Sequence, residues 1–185
     1  MKQAFLILIV IYLMVTSCNS EPDPYLVTKH KIGYLSDSTA VKDLAYIFPN
    51  DSINRFIGGD EFVGNPNIIK VYEKETQTLL LELTPKEALD SLSTIQSVRL
   101  MDPRYKTEKG LNKLGTYYDI SSKYNISSIQ NTLRNLIVSV NDINAYFTIE
   151  KSELPENLRY DMTQKIEAVS IPDKAKIKDF FIQWY

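Results

Sequence analysis

The chain has 185 residues, of which 21 are Lys or Arg and 23 are Asp or Glu, for a net charge of −2. So even a balance leaves no basic excess to neutralise phosphates, and no nucleic-acid partner is expected. Hydrophobic residues make up 44%, enough for a packed core, while a single Cys and a single His exclude a disulfide and a multi-histidine or multi-cysteine zinc site within one chain.

The chain opens with Lys2, an unbroken apolar run over residues 4–15, and then Thr16-Ser17-Cys18. A charged start, a short apolar stretch and small residues before a cut predict a signal peptide over residues 1–17. The run is shorter than the roughly 20 apolar residues that span a bilayer. Val15-Thr16-Ser17-Cys18 resembles the lipobox of bacterial lipoproteins. That resemblance implies that Cys18 becomes the mature N-terminus, carries acyl chains and makes the membrane a partner. Asn19 follows, where enterobacterial lipoproteins kept at the inner membrane have aspartate, so the resemblance implies the outer membrane, facing periplasm or surface. Residues 18–24 read as a polar lipidated tether. Its Glu21 and Asp23 resemble acidic surface-export tags of Bacteroidota lipoproteins.

Residues 25–185 read as a duplicated α+β domain: two tandem repeats (28–104 and 105–185), each a helix followed by an antiparallel three-stranded unit, packed together. Asp43, Leu44, Phe48, Ser52 and Ile53 recur at one constant offset as Asp119, Ile120, Tyr124, Ser128 and Ile129. Apolar runs at 68–72 and 79–83 match runs at 136–140 and 146–149. Each half closes on an Ile-x-x-Val-x-(Leu/Ile)-x-Asp string, Ile95 to Asp102 and Ile166 to Asp173. Ser38 or Thr39 is the expected cap of a first helix whose apolar face is Val41, Leu44, Ala45 and Phe48, and Pro49 stops it. The second helix is expected at about 116–124. Glu75-Thr76-Gln77 and residues 141–144 are expected hairpin loops, and alternating aromatics predict a strand at the C-terminus.

Few residues carry chemistry. His30, between Lys29 and Lys31, reads as an exposed strand-entry residue, since no nucleophile elbow accompanies it. Gly58-Gly59-Asp60-Glu61-Phe62 resembles the signature of diguanylate cyclases. The upstream metal-binding aspartate and nucleotide stretch of that family are absent, and an exported domain has no GTP supply, so the cyclase reading is rejected as a chance match. Asp43 with Asp119, and Asp102 with Asp173, are repeat-equivalent carboxylates that read first as caps and turn formers. Lys106, Lys109 and Lys113, and Lys174, Lys176 and Lys178, read as solvated basic faces. Ser38, Ser52 and Ser91, each after an aspartate, resemble Bacteroidota O-glycosylation sites. No cofactor and no metal are expected.

Gly33-x-Leu35, Thr39, Phe48-Pro49, Leu83-Thr84-Pro85, Ile95-x-Ser97-Val98 and Leu114-Gly115-Thr116 together resemble a small family of envelope-stress (sigma-E) regulated lipoproteins of unknown function. The resemblance implies location and fold, and no activity comes with it. The expected role is a non-catalytic, outer-membrane-anchored binding or interaction module for an envelope protein or glycan. Tyr34, Tyr105, Tyr117 and Tyr118 are the expected contact surface. The alternative is an envelope hydrolase or transferase using paired carboxylates, recognisable by two acids close together in a cleft with one pKa raised.

Overall fold

The computed structural model describes residues 23–55 and 68–185. The expected signal peptide, Cys18, most of the tether and the Gly58–Phe62 string lie outside the described residues.

The expectation of two helix-plus-three-strand repeats is overturned. Among the described residues the protein is mostly β, with twelve strands in two sheets of four and eight. Its α-helices are short: α1 is Leu44–Ile47 and α2 is Tyr117–Lys123. The small sheet contains β1 (Leu26–Val27), β2 (Lys31–Ile32), β3 (Leu35–Ser36) and β8 (Lys106–Thr107), in the order β3-β2-β1-β8. The large sheet begins with β4 (Asp51–Arg55), β5 (Ile69–Glu73), β6 (Leu79–Pro85) and β7 (Ile95–Leu100). It continues with β9 (Ser128–Asn131), β10 (Asn135–Val140), β11 (Ala145–Glu150) and β12 (Ile177–Gln183). Its order is β4-β5-β6-β7-β12-β11-β10-β9, so two four-stranded antiparallel meanders meet through their last strands, β7 and β12.

The difference from the expected unit has identifiable causes. Ser52-Ile53 and Ser128-Ile129 are short and half polar, yet they lie in full strands, β4 and β9, because each pairs with one side of a more apolar neighbour, β5 or β10. The Ile166 to Asp173 string is no strand; it carries a single 3₁₀ turn at Ala168–Ser170, and β12 takes the place in the sheet that the string was expected to fill. The first helix is one 3₁₀ turn, Val41–Asp43, followed by one α turn. Neither Ser38 nor Thr39 caps it. The N-cap is Ala40, and Thr39 Oγ1 instead accepts the Ser36 N–H at 3.0 Å. The second helix has a reciprocal cap: Thr116 Oγ1 accepts from Asp119 N, and the Asp119 carboxylate accepts from Thr116 N at 2.9 Å.

Alternation along the strands separates two faces. Val71, Leu81, Leu83, Val98, Leu136, Val138, Phe147, Phe180 and Ile182 are all fully buried. Register lines them up, for Leu83 faces Val98, Val98 faces Ile182, and Phe180 faces Phe147. Each contributes about 1.5–3 kcal/mol by leaving water. The same cluster takes in Val27, Ile32 and Leu35 of the small sheet and Leu44, Tyr117 and Ile120 of the helices, so both sheets share one core. The opposite face carries a cross-strand row in which Lys70 faces Glu82, Glu82 faces Arg99, Arg99 faces Phe181, and Phe181 faces Tyr146. Arg99 donates to Glu82 at 2.9 Å and to Asp179 at 2.5 Å, and the Phe181 and Tyr146 rings stack at 4.6 Å.

The expected hairpin loops are where β5–β6 and β10–β11 reverse, with Gln77 and Asn144 at positive φ. Trp184, just past β12, is tied to the β1–β2 turn: its buried indole N–H donates to the Lys29 carbonyl at 3.0 Å.

Candidate functional site

A cleft of about 560 Å³ lies between the small sheet, α1 and the start of β4. Its wall includes Tyr25, Tyr34, Tyr46, Phe48, Asp51 and Tyr105, supplied by separate stretches of chain. Tyr25 enters β1, Tyr34 lies in the β2–β3 turn, Tyr46 is on α1, Asp51 opens β4 and Tyr105 precedes β8.

Gly33 makes the Tyr34 turn possible. It sits at φ +55°, and a Cβ there would lie 2.0 Å from the Pro24 carbonyl oxygen. The missing side chain lets the turn close onto the first described residues, with Gly33 N–H donating to Leu26 at 2.8 Å. Pro49 ends α1 and turns the chain into β4, which brings Asp51 to the cleft beside Tyr46. Tyr105 is 3% exposed and meets Tyr25 edge-on at 5.2 Å.

Behind the wall lies a charged cluster centred on Arg104. Its guanidinium donates to Asp102 Oδ1 and Oδ2 at 3.0 Å and to Glu73 at 2.7 Å, and it covers the Tyr25 ring at 4.7 Å. Burial alone would push Asp102 up, but hydrogen bonds from the Arg104 side chain and N–H outweigh it and hold its carboxyl below the ordinary range. Glu73 is also held low, by hydrogen bonds from Arg104 and Thr76. Asp51, directly across from Glu73 in the register, goes the other way: burial and then the Glu73 charge raise it. Burial likewise raises Tyr105. Unlike its two acidic neighbours, the Asp51 carboxylate has no hydrogen bond or ion pair among the described residues.

The four expected contact tyrosines divide. Tyr34 and Tyr105 share the cleft wall. Tyr117 is core, 3% exposed, and Tyr118 is exposed on α2 away from the cleft. Tyr25 and Tyr46 were absent from the sequence reading. The signal for Tyr46 was present, for it is a large aromatic off the apolar face of α1, and it is 86% exposed.

The repeat-equivalent carboxylates form no shared site. Asp119 is engaged in its helix cap, and Asp43 is exposed on the 3₁₀ turn. Asp102 is bound by Arg104, and Asp173 is an exposed turn residue. His30 is exposed before β2 and pairs with Asp37 at 2.7 Å. The lysines make no continuous basic face. Lys109 donates to the Lys123 carbonyl and lies over the Tyr124 ring, Lys113 donates to the Met101 carbonyl, and Lys178 pairs with Glu150. Ser38, Ser52 and Ser91 are all exposed. Among the described residues no group of three or more His, Cys, Asp or Glu is arranged to hold a metal, and no helix is long and apolar enough to cross a membrane.

No protein-family model matches the chain, and no curated protein matches it. The fold is similar to the crystal structure of the uncharacterized protein yfeY from Escherichia coli. The TM-score is 0.56 at 11% identity, over 85% of this chain and 99% of that one. At that identity the likeness concerns the fold alone.

Proposed function

We propose that the protein is an outer-membrane lipoprotein, anchored through acyl chains on Cys18, that works as a non-catalytic binding module for an envelope protein or glycan. The observation that carries this reading is the tyrosine-walled cleft, which draws aromatic residues from four separate segments into one concavity. Rigid aromatic side chains with a polar tip suit such a contact surface. The cleft opens at Pro24, where the expected tether ends. Six residues from Cys18 reach at most about 20 Å, which keeps the cleft near the bilayer.

The test is a photo-crosslinking amino acid placed at Tyr46, with Tyr160 as control, in the full chain expressed in its native envelope. Tyr160 is also exposed and lies outside the cleft wall. The expected result is a defined adduct from position 46 that position 160 does not give. Identical products from both positions, or none from 46, would refute the reading.

The hydrolase alternative has one observation in its favour. Asp51 and Glu73 face each other with their carboxyls pushed in opposite directions, as an acid and a base would be. Against it, Glu73 is occupied by Arg104 and stands outside the cleft wall. Turnover of an envelope polymer that disappears in Asp51→Asn would establish that alternative.

A further inference from the structure

Resting on the cleft as the binding surface, we infer that it selects a small organic cation, an alkylammonium group seated against the tyrosine rings with the Asp51 carboxylate as its counter-ion.

The charge pattern singles out a cation. Among the described residues Asp51 is the one charged side chain in the wall, and no Lys, Arg or His lines it. Behind it, Glu73 and Asp102 hold the guanidinium of Arg104 by hydrogen bonds, and the Arg104 charge also acts on Asp51 without offsetting burial and the Glu73 charge. Among the described residues no donor hydrogen-bonds to the Asp51 carboxylate. A half-buried carboxylate without a donor is a site waiting for positive charge.

The chemistry of the walls agrees. Tyr25, Tyr34, Tyr46, Phe48 and Tyr105 present rings whose faces are negative, and cations bind over such faces. One cation, Arg104, already covers Tyr25 from the cluster side. Tyr105 also forms part of the wall, and its hydroxyl makes no hydrogen bond among the described residues without being one of the buried unpartnered atoms there, so it stays open to the solvent of the cleft. A phenol reached by water can exchange that water for a polar group of the ligand.

Other occupants fit less well. An anion finds no basic residue in the wall among the described residues. A zwitterionic phospholipid headgroup brings a phosphate that would be left without a partner. A hard metal ion needs several oxygen ligands, and the described residues of the wall offer one carboxylate. A neutral polyol would leave the Asp51 charge uncompensated. The volume, about 560 Å³, lies within the size range of small-molecule sites.

The test is calorimetric titration of the full chain in maltoside micelles with choline, with its uncharged carbon isostere 3,3-dimethylbutan-1-ol, and with phosphocholine. Choline is expected to bind at least tenfold more tightly than the other two. Asp51→Asn should lower choline affinity about tenfold, and Tyr46→Ala several-fold. Tyr46 is 86% exposed, so its removal leaves the fold intact and keeps the test valid should Asp51→Asn unfold. Equal binding of choline and its isostere would overturn the inference. So would no saturation by choline in the millimolar range, or unchanged affinity in both variants. Phosphocholine binding best would assign the cleft to a headgroup and overturn it too. If choline fails while crosslinks from position 46 persist, this inference falls alone; if both fail, the cleft is not the binding surface.

Discussion

Replacing Arg104 by Met tests whether the charged cluster supports the cleft. The substitution removes two side-chain hydrogen bonds to Asp102 at 3.0 Å, one to Glu73 at 2.7 Å, and the cation over Tyr25. Stripping the partner from a buried carboxylate costs about 3–5 kcal/mol. Asp102 keeps part of its solvation, because the N–H of residue 104 donates to it at 2.8 Å independently of the side chain. Arg104 is itself 40% exposed, which weakens its share. The expected loss is therefore about 2–3 kcal/mol. In urea, with a slope of about 2 kcal/mol per molar, the midpoint should fall by about 1 M. The pH dependence follows in sign. Because Asp102 is held below its ordinary value, its stabilisation is complete above the unfolded carboxyl pKa, about 4, and fades as pH falls through the lower folded value. The gap between wild type and Arg104→Met should accordingly narrow below about pH 4. Asp102→Asn combined with Arg104→Met should recover most of the loss, since a neutral amide needs no guanidinium. A midpoint shift under about 0.3 M, or a double variant no better than Arg104→Met alone, would refute the reasoning.

Two further outcomes can be checked by the same denaturation assay. Thr116→Ala removes one side of the α2 capping box and should cost about 1 kcal/mol, whereas Ser38→Ala, at a position that caps nothing, should change stability by less than about 0.5 kcal/mol. Gly33→Ala places a Cβ 2.0 Å from the Pro24 carbonyl at a positive φ, so it should destabilise by more than the roughly 1 kcal/mol of an ordinary left-handed glycine, and a crosslinker at position 46 should lose its adduct as the Pro24 wall shifts.

Much of the large sheet was legible because strands announce themselves by composition. Residues 79–83 and 136–140 are β-branched or leucine-rich runs between turn formers, and they became the centres of β6 and β10. The flanking strands were not legible for the converse reason. Asp51-Ser52-Ile53-Asn54 carries one apolar residue, and only its pairing with Val71 and Tyr72 makes it a strand. The Ile166 to Asp173 string misled by a different route. Val169 is 92% exposed, so the apolar spacing that suggests a strand there buries nothing at its centre. Helix length was overestimated at α1 because apolar spacing marks a face without fixing the number of turns. A 3₁₀ turn followed by an α turn buries Val41, Leu44 and Phe48 just as a longer helix would.

The cleft was the harder thing to see, and the reason lies in how it is built. No single window of sequence holds it. Tyr25 and Tyr34 flank β1 and β2, Tyr46 and Asp51 straddle Pro49, and Tyr105 reaches the wall through the parallel pairing of β8 with β1. That pairing sets Leu26 beside Lys106 and Val27 beside Thr107, so the residues just before each strand, Tyr25 and Tyr105, must lie side by side. The register of two short strands therefore determines whether the aromatic wall exists at all. The same register brings Arg104, one residue upstream, over the Tyr25 ring, where it can hold Asp102 and Glu73 and leave Asp51 with no hydrogen-bond donor among the described residues. A substitution that breaks the β1–β8 ladder should thus dismantle wall and charge pattern together, even though it touches neither. Position in the sheet, more than residue type, is what makes these tyrosines and this aspartate a site.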